Sequence, residues 1–177
     1  TELADIIVQE TLPLCSGAIR KRHCATPKFA VIGYGKLGGK ELGYVSDLDL
    51  VYLYDDPDPD AEENYARLGQ RLNTWLSSQT SAGILFETDL RLRPNGDSGL
   101  LAVSVDSFRD YQLDKAWVWE HQALTRARFC AGDPAVGARF EEIRREILCR
   151  QRDLTKLKEE VVAMRRKMYD AHASKSE

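Results

Sequence analysis

The most informative segment of the chain is GYGKLGGKELGYVSDLDL, which runs from Gly33 to Leu50. Before it lies the apolar, β-rich run Lys28–Gly33, which predicts a buried strand that ends on glycine. After the glycines, the apolar and aromatic run Leu48–Tyr54 predicts a second strand. We therefore expect a glycine-rich turn that leaves the first strand and enters a short helix. Because glycine has no side chain, backbone N–H groups in such a turn can face phosphate oxygens.

The glycine pattern by itself is a weak functional signal. It contains no G-x-x-x-x-G-K-[ST], so it is not a Walker P-loop. Gly33, Gly35 and Gly38 match the G-x-G-x-x-G of dinucleotide-binding folds, but the βαβ unit that this motif opens is not completed. The residues that follow the glycines therefore carry the stronger functional signal.

Two aspartates stand where the second strand begins. Side chains alternate along a strand, so Asp47 and Asp49 should lie on one face, roughly 7 Å apart along the chain. Leu48 and Leu50 should then enter the core. Two carboxylates aimed at one place repel each other, and a divalent cation relieves that repulsion. Oxygen ligands favour Mg²⁺ over zinc, so the pattern predicts a magnesium site at the start of this strand.

A third carboxylate is expected from a later strand. We predict one long strand over Ile84–Arg93, in which acids and arginines alternate on one face. Asp89 is the preferred third acid, with Glu87 in reserve, and Arg91 and Arg93 could neutralise phosphate charge. The alternative for each piece is an exposed strand end or a face of cross-strand ion pairs. The order of all the pieces together favours a functional site.

The remaining segments predict an α+β fold with a mixed sheet and flanking helices, followed by an α-helical C-terminal extension. We expect residues 1–110 to form a catalytic domain with an N-terminal helix, and residues 111–177 to form the helical extension. The expected elements are a helix over 3–22 interrupted at Pro13, an acidic loop over 55–60, an amphipathic helix from Ala61 to Trp75, a strand over 100–103, and helices from about residue 105 onward, one of them capped by Asp133-Pro134.

Composition excludes several classes of protein. With 43% hydrophobic and 30% charged residues, the 177-residue chain can bury a core, which excludes disorder as its main state. A net charge of -3 argues against a dedicated nucleic-acid binder, and the longest apolar stretches are too short for a membrane span. The four cysteines lack metal-binding spacing, which predicts reduced thiols in the cytoplasm. Since the chain begins at Thr1 without Met, we expect a piece of a longer protein.

Three motifs carry a resemblance to a known family. They are residues 33–50 quoted above, DLRLRPNG at residues 89–96, and WEHQALTRAR at residues 119–128. A glycine turn, an Asp-x-Asp strand and a later acid, in that order, resemble the nucleotidyltransferase superfamily, which includes DNA polymerase β and kanamycin nucleotidyltransferase. Lys36 stands where that superfamily has serine, so a hydroxyl contact to phosphate is not carried over. Across residues 28–170 the chain looks like bacterial glutamine synthetase adenylyltransferase.

This resemblance implies a polymerase β-like nucleotidyltransferase fold. It also implies a transfer of AMP from ATP to a tyrosine of glutamine synthetase, assisted by two Mg²⁺ ions. The catalytic and metal-binding residues would be Asp47, Asp49 and Asp89. The nucleotide-binding residues would be Gly35, Lys36, Gly38, Gly39, Ser46, Arg91 and Arg93. The Gly-Tyr-Gly-Lys opening resembles the C-terminal, AMP-attaching domain of this bifunctional family, whose full-length members imply glutamine and the PII signalling protein as regulators.

Two alternatives stay open at this point. The same fold could run the reverse, AMP-removing reaction by phosphorolysis, or the chain could be a non-catalytic module that binds nucleotide or a signalling protein. In the third motif, Glu120, Arg126 and Arg128 could reach the nucleotide or lock the helices to the sheet. We interpret His121 as a packed or hydrogen-bonded histidine rather than as a general base.

Overall fold

The computed structural model describes residues 1–19 and 23–173, and within them the chain forms an α+β fold. The strands are β1 (Phe29–Gly33), β2 (Leu48–Tyr54), β3 (Thr88–Asp89), β4 (Ala102–Ser104) and β5 (Arg128–Gly132). The helices are α1 (Glu2–Gly17), α2 (Gly35–Gly38), α3 (Ala61–Ser77), α4 (Val105–Asp114), α5 (Val118–Leu124), α6 (Pro134–Leu148) and α7 (Leu154–Ala173). This architecture confirms the predicted fold class, with a mixed sheet and flanking helices.

The sheet is built around β1, which is antiparallel to β2 on one side and to β5 on the other. The outer edge of β2 is divided between two short parallel partners. β3 pairs with Leu48 and Asp49 at the start of β2, and β4 pairs with Tyr52–Tyr54 at its end. The start of β2, which follows the glycine turn, therefore has β3 beside it.

The core lies on both faces of the sheet. Phe29 and Val31 of β1 belong to an apolar cluster that α1 and α3 complete, whereas Ala30 and Ile32 belong to one that α4 and α6 complete. Alternate residues of a strand project to opposite faces, so each face of β1 is covered by a different helix pair. This two-sided burial explains why both central strands read as almost unbroken apolar runs.

The helix boundaries follow the sequence signals in part. Asp133 caps α6 as predicted, because its carboxylate accepts a hydrogen bond from N–H of Ala135 at 2.8 Å. The predicted N-terminal helix is one continuous helix that contains Pro13 and ends at Gly17, while residues 20–22 of the prediction lie outside the described residues. Among the described residues, no helix is both long enough and apolar enough to cross a membrane.

The long strand predicted over Ile84–Arg93 is wrong, because only Thr88 and Asp89 pair with β2. Farther along the same edge of β2 the pairing positions belong to β4, so the chain leaves the sheet after Asp89. One of the turns that follow is closed by a hydrogen bond from N–H of Gly96 to O of Arg93 at 2.8 Å. The alternation of acids and arginines on a single strand face therefore does not continue beyond Asp89. The predicted short strand over 100–103 is present as β4, shifted by one or two residues.

The helical course predicted from about residue 105 to the end is also wrong, because β5 interrupts it. Arg128–Gly132 pairs antiparallel with β1, and the register shifts between Val31 and Ile32. A five-residue strand that closely follows a helix offers too few positions for its period to be distinguished. The division of the chain at residue 110 stays a prediction, and residues 174–177 of the predicted extension lie outside the described residues.

Candidate functional site

Asp49 and Asp89 are direct neighbours in the parallel pairing of β2 with β3. Paired residues of adjacent strands project to the same face, so this register brings their carboxylates together. Asp47, two residues before Asp49, joins them from the loop that leads into β2. One carboxylate oxygen of each aspartate lies within 4.8 Å of the corresponding oxygens of the other two. The structure thus brings together the three acids that the sequence analysis selected, which we call the carboxylate cluster.

The carboxylate cluster stands at the rim of the core rather than inside it. Leu48 and Leu50 are fully buried, as predicted, whereas Asp49 and Asp89 are half-buried and Asp47 is exposed. The exposed side borders a cleft of about 490 Å³ that Asp47 and Asp89 help to line. A ligand could therefore reach the carboxylates from solvent through this cleft.

The three carboxylates of the cluster repel one another. Burial raises the pKa of Asp49, and the neighbouring carboxylates of Asp47 and Asp89 raise it further. The guanidinium of Arg91 lowers the pKa of Asp89 through hydrogen bonds, one of them from Nε to Oδ2 at 2.9 Å. The repulsion at Asp49 is of the kind that a divalent cation relieves, and an all-oxygen donor set suits Mg²⁺.

The glycine turn contacts the carboxylate cluster at Gly35. Its φ of +53° lies in the left-handed region that favours glycine, and a Cβ built there would overlap the carboxylate of Asp49. The N–H of Tyr34 also donates to the backbone oxygen of Asp49 at 2.9 Å, which ties the turn to β2. Both the backbone conformation and the close approach of Asp49 therefore require glycine at position 35.

The backbone N–H groups of the turn are available to a ligand only in part. Gly38 donates to O of Tyr34 at 2.8 Å, and Gly39 donates to O of Gly35 at 3.0 Å. The N–H groups of Gly35 and Lys36 come earlier, in the first helical turn, where helix geometry supplies no carbonyl partner. Of the four predicted phosphate-binding residues in the turn, two are thus placed to donate, while Gly38 and Gly39 shape the turn.

Two arginines of the third motif reach the glycine turn from beyond α5. Nε of Arg126 donates to O of Gly35 at 3.2 Å, and the Arg126 guanidinium forms an ion pair with Glu41. Nη2 of Arg128 donates to O of Leu37 at 3.0 Å. Each of these hydrogen bonds joins residues 91 positions apart, so the sequence pattern could not assign them. Both arginines contact the turn in the structure.

The two arginines after Asp89 have different surroundings. Arg91 is exposed and holds the Asp89 carboxylate. The side chain of Arg93 is only 12% exposed, and its guanidinium donates to O of Leu90 at 2.7 Å and to O of Asp97 at 3.2 Å. Both arginines line the cleft, where Arg91 presents its charge to solvent and Arg93 also stabilises the loop that follows β3.

Ser46 and Lys36, which the sequence analysis assigned to the nucleotide, occupy the two ends of the connection into β2. Oγ of Ser46 accepts a hydrogen bond from N–H of Gly43 at 3.2 Å, so it stabilises the loop directly before Asp47. The Lys36 side chain is exposed, and its charge acts to lower the pKa of Asp49. Lys36 is therefore free to meet a ligand, while Ser46 has a local partner.

The cleft also contains a residue that the sequence analysis did not select. Asn73 of α3 lines it, and its amide oxygen accepts a hydrogen bond from Oγ1 of Thr88. The available signal was a polar side chain on the apolar face of α3, four residues after the buried Gly69. Glu87, the reserve third acid, lines the cleft but lies outside the carboxylate cluster.

Glu120 and His121 have partners within the helical part of the chain. The Glu120 carboxylate accepts a hydrogen bond from N–H of Trp117 at 2.8 Å. Nε2 of His121 lies 2.8 Å from O of Gln112, and Nδ1 lies 3.0 Å from Nη1 of Arg152. Nε2 therefore carries the proton and Nδ1 accepts. Burial lowers the pKa of His121, and the Arg152 charge acts in the same direction, so His121 is a neutral, hydrogen-bonded residue.

Comparison with known proteins adds a family match. The model of the family described as Glutamate-ammonia ligase adenylyltransferase matches residues 1–143. Relatives named bifunctional glutamine synthetase adenylyltransferase/adenylyl-removing enzyme are 68% identical over 175 residues in Aromatoleum aromaticum and 60% identical over 172 residues in Nitrosomonas eutropha. One of the same name in Neisseria meningitidis serogroup A is 59% identical over 171 residues. These matches cover 99%, 97% and 96% of the chain but 19%, 18% and 19% of the relatives, so the chain spans about a fifth of their length.

Proposed function

The chain belongs to the glutamate-ammonia ligase adenylyltransferase family, and we therefore propose that it is an adenylyl transferase domain. In the proposed reaction, AMP moves from ATP to a tyrosine hydroxyl of glutamine synthetase and pyrophosphate is released. The observation that carries the proposal is the carboxylate cluster, which lies against the left-handed Gly35 and opens to a cleft. Glutamine synthetase is proposed as the acceptor because the relatives' names give it as theirs.

The donor atoms of the carboxylate cluster fit Mg²⁺. Three carboxylates supply hard oxygen ligands, and the exposed side of Asp47 leaves room for water and phosphate oxygens. We propose that Asp47, Asp49 and Asp89 hold two Mg²⁺ ions. When bound, Mg²⁺ lowers the pKa of the incoming hydroxyl and stabilises the leaving pyrophosphate.

The chain's own residues would orient the nucleotide. We propose that the N–H groups of Gly35 and Lys36, and the Lys36 ammonium, face the phosphates, while Arg91 adds positive charge at the cleft. The tyrosine oxygen then attacks the α-phosphorus in line, the bond from that phosphorus to pyrophosphate breaks, and the hydroxyl proton passes to solvent. This scheme forms no covalent enzyme intermediate, so it gives the four cysteines no catalytic role.

The direction of the reaction is part of the proposal. Tyr34 in the Gly-Tyr-Gly-Lys opening and the Trp119-Glu-His-Gln sequence resemble the AMP-attaching domain of the family rather than the AMP-removing one. On the same resemblance we propose that glutamine and the PII signalling protein regulate the full-length protein.

The chain, ATP labelled at the α-phosphate and unmodified glutamine synthetase test the direction. Label on a tyrosine of glutamine synthetase supports the proposal. Release of ADP from adenylylated glutamine synthetase in phosphate, without any transfer of label, would instead identify the AMP-removing reaction. The double variant Asp47→Asn, Asp49→Asn is the control, and transfer that survives it would contradict the metal assignment. MgATP binding with neither reaction would identify a non-catalytic nucleotide-binding module.

A further inference from the structure

Arg126 and Arg128 each form an ion pair, but the pair of Arg126 is exposed whereas that of Arg128 is largely buried. The side chains of Arg126 and of its partner Glu41 are 47% and 57% exposed. Those of Arg128 and of its partner Asp5 are 20% and 18% exposed, and Arg128 also binds the backbone of α2. Exposed ion pairs are held weakly, because water competes for both charges. Arg128 therefore joins α1 to α2 through a largely buried pair, while the exposed Arg126–Glu41 pair can open.

The Arg126–Glu41 pair covers the part of the glycine turn that adjoins the carboxylate cluster. Arg126 binds the backbone oxygen of Gly35, where a built Cβ would overlap the Asp49 carboxylate. At Gly39, a built Cβ would lie 2.9 Å from Oε1 of Glu41 and 3.0 Å from Nη2 of Arg126. The guanidinium and the carboxylate cluster thus contact the same short turn.

We infer that Arg126 binds the β- and γ-phosphates of the nucleotide. In the free chain the Glu41 carboxylate pairs with the Arg126 guanidinium, and the phosphates displace it when the nucleotide binds. The inference rests on the proposed function, since it requires the α-phosphate to lie at the carboxylate cluster. A planar guanidinium matches phosphate oxygens as well as it matches a carboxylate, and two phosphate groups offer it more charge. The triphosphate therefore replaces Glu41 as the partner of Arg126.

This exchange predicts that substitutions of Arg126 and of Glu41 change the affinity for the triphosphate in opposite directions. Loss of the Arg126 charge weakens triphosphate binding, whereas loss of the Glu41 charge removes a competitor and strengthens it. A pair that served only to lock the turn would behave differently, because breaking it from either side would weaken binding.

The test measures the affinity of the chain for MgATP and for AMP by titration calorimetry. Arg126→Gln should weaken MgATP binding about tenfold, the value of one charged hydrogen-bonded contact. Its AMP affinity should stay within about twofold, because AMP lacks the two outer phosphates. Arg126→Lys should lose less, since the charge remains. Glu41→Gln should bind MgATP roughly two- to fivefold more tightly, the range that an exposed competing pair supplies.

Arg109 and Glu146 provide the matched control, because they form an ion pair between α4 and α6 with both side chains 41% exposed. Arg109→Gln and Glu146→Gln should leave MgATP affinity unchanged. Unchanged MgATP affinity in Arg126→Gln overturns the inference, and so does a loss in Glu41→Gln equal to that in Arg126→Gln; both leave the proposed function standing. Failure of the unsubstituted chain to bind MgATP contradicts the proposed function and the inference with it.

Discussion

Asp49 of β2 and Asp89 of β3 are paired residues of two parallel strands, and their carboxylates lie in one cluster with that of Asp47. Like charges placed side by side destabilise a sheet. The guanidinium of Arg91 offsets the repulsion at Asp89 and lowers the pKa of that carboxyl group. The pKa of Asp49, in contrast, is raised by burial and by its two acidic neighbours. This corner of the sheet is therefore better suited to binding a cation than to stabilising the fold.

Replacing Asp49 by asparagine should separate stability from activity. Loss of one like charge should leave the free energy of unfolding in metal-free buffer unchanged, or raise it by up to about 1 kcal/mol. Adenylyl transfer should fall about 100-fold or more, because each ~1.4 kcal/mol of lost transition-state stabilisation costs a factor of ten. Thermal unfolding and label transfer are the measurements. Asp58→Asn, in the acidic loop after β2, is the control and should change neither, whereas intact transfer in Asp49→Asn would exclude Asp49 from the site.

Addition of Mg²⁺ should stabilise the unsubstituted chain. A ligand that binds only the folded state raises the free energy of unfolding, by about 2.7 kcal/mol at a hundred times its Kd. The melting temperature should therefore rise with Mg²⁺ concentration, and Asp49→Asn should abolish most of that rise. Sodium chloride at equal ionic strength serves as the control. An identical rise in both proteins would place the stabilising ion elsewhere.

Replacing Gly35 by alanine should damage both stability and activity. The left-handed φ of +53° and the overlap of a Cβ with the Asp49 carboxylate together predict a loss of about 1–3 kcal/mol in the free energy of unfolding. Gly17→Ala is the matched control, because a Cβ there meets nothing within 4 Å. Its free energy of unfolding should change by less than ~0.5 kcal/mol. Equal stability of the two variants in chemical denaturation would show that the turn tolerates a side chain.

His121 should contribute to the loss of stability in mild acid. Its pKa in the folded chain is lowered by burial and by Arg152, so just below the unfolded value of about 6.5 the unfolded state binds the proton more readily. Neutral His121 therefore contributes its full stabilisation above the unfolded pKa of about 6.5. This stabilisation is lost as the pH falls from there through the lowered pKa of His121 in the folded chain. The part of the pH dependence of the free energy of unfolding that comes from His121 should stay below ~1.4 kcal/mol per pH unit, the slope that one full proton gives. Denaturation between pH 7.5 and pH 5 should show a shallower decline in His121→Gln, and equal slopes would contradict this assignment.

Cys149 should react much faster with a thiol reagent than the buried Cys15 and Cys130. Cys149 is exposed, whereas burial raises the pKa values of Cys15 and Cys130 to about 11 each. Only the thiolate reacts, so a disulfide reagent should modify Cys149 rapidly and leave the two buried thiols unmodified until the chain unfolds. Cys149→Ser should remove the fastest phase and leave that of the partly exposed Cys24. Rapid reaction of Cys15 or Cys130 in the native chain, detected by mass spectrometry of peptides, would contradict their burial.

Short-range signals were sufficient for the elements next to the glycine turn. The apolar runs predicted β1 and β2, and period-two alternation correctly placed Leu48 and Leu50 in the core with Asp47 and Asp49 turned away from it. The same alternation failed after Asp89, where pairing with β2 stops. Alternation describes a residue's face only while a partner strand continues beside it.

Local patterns in the sequence were enough to predict the α+β class and the glycine turn, because both follow from residues a few positions apart. The three aspartates were selected from the order of motifs along the chain, since Asp89 lies 40 residues after Asp49. The folded structure was needed to show that Asp89 faces Asp49, that Arg126 and Arg128 contact the turn, and that Arg128–Gly132 forms a strand. These are contacts between segments roughly 40 to 100 residues apart, and no local period encodes which distant segment occupies a given sheet edge. That choice depends on which arrangement buries both faces of the central strands at once, which is a property of the whole chain.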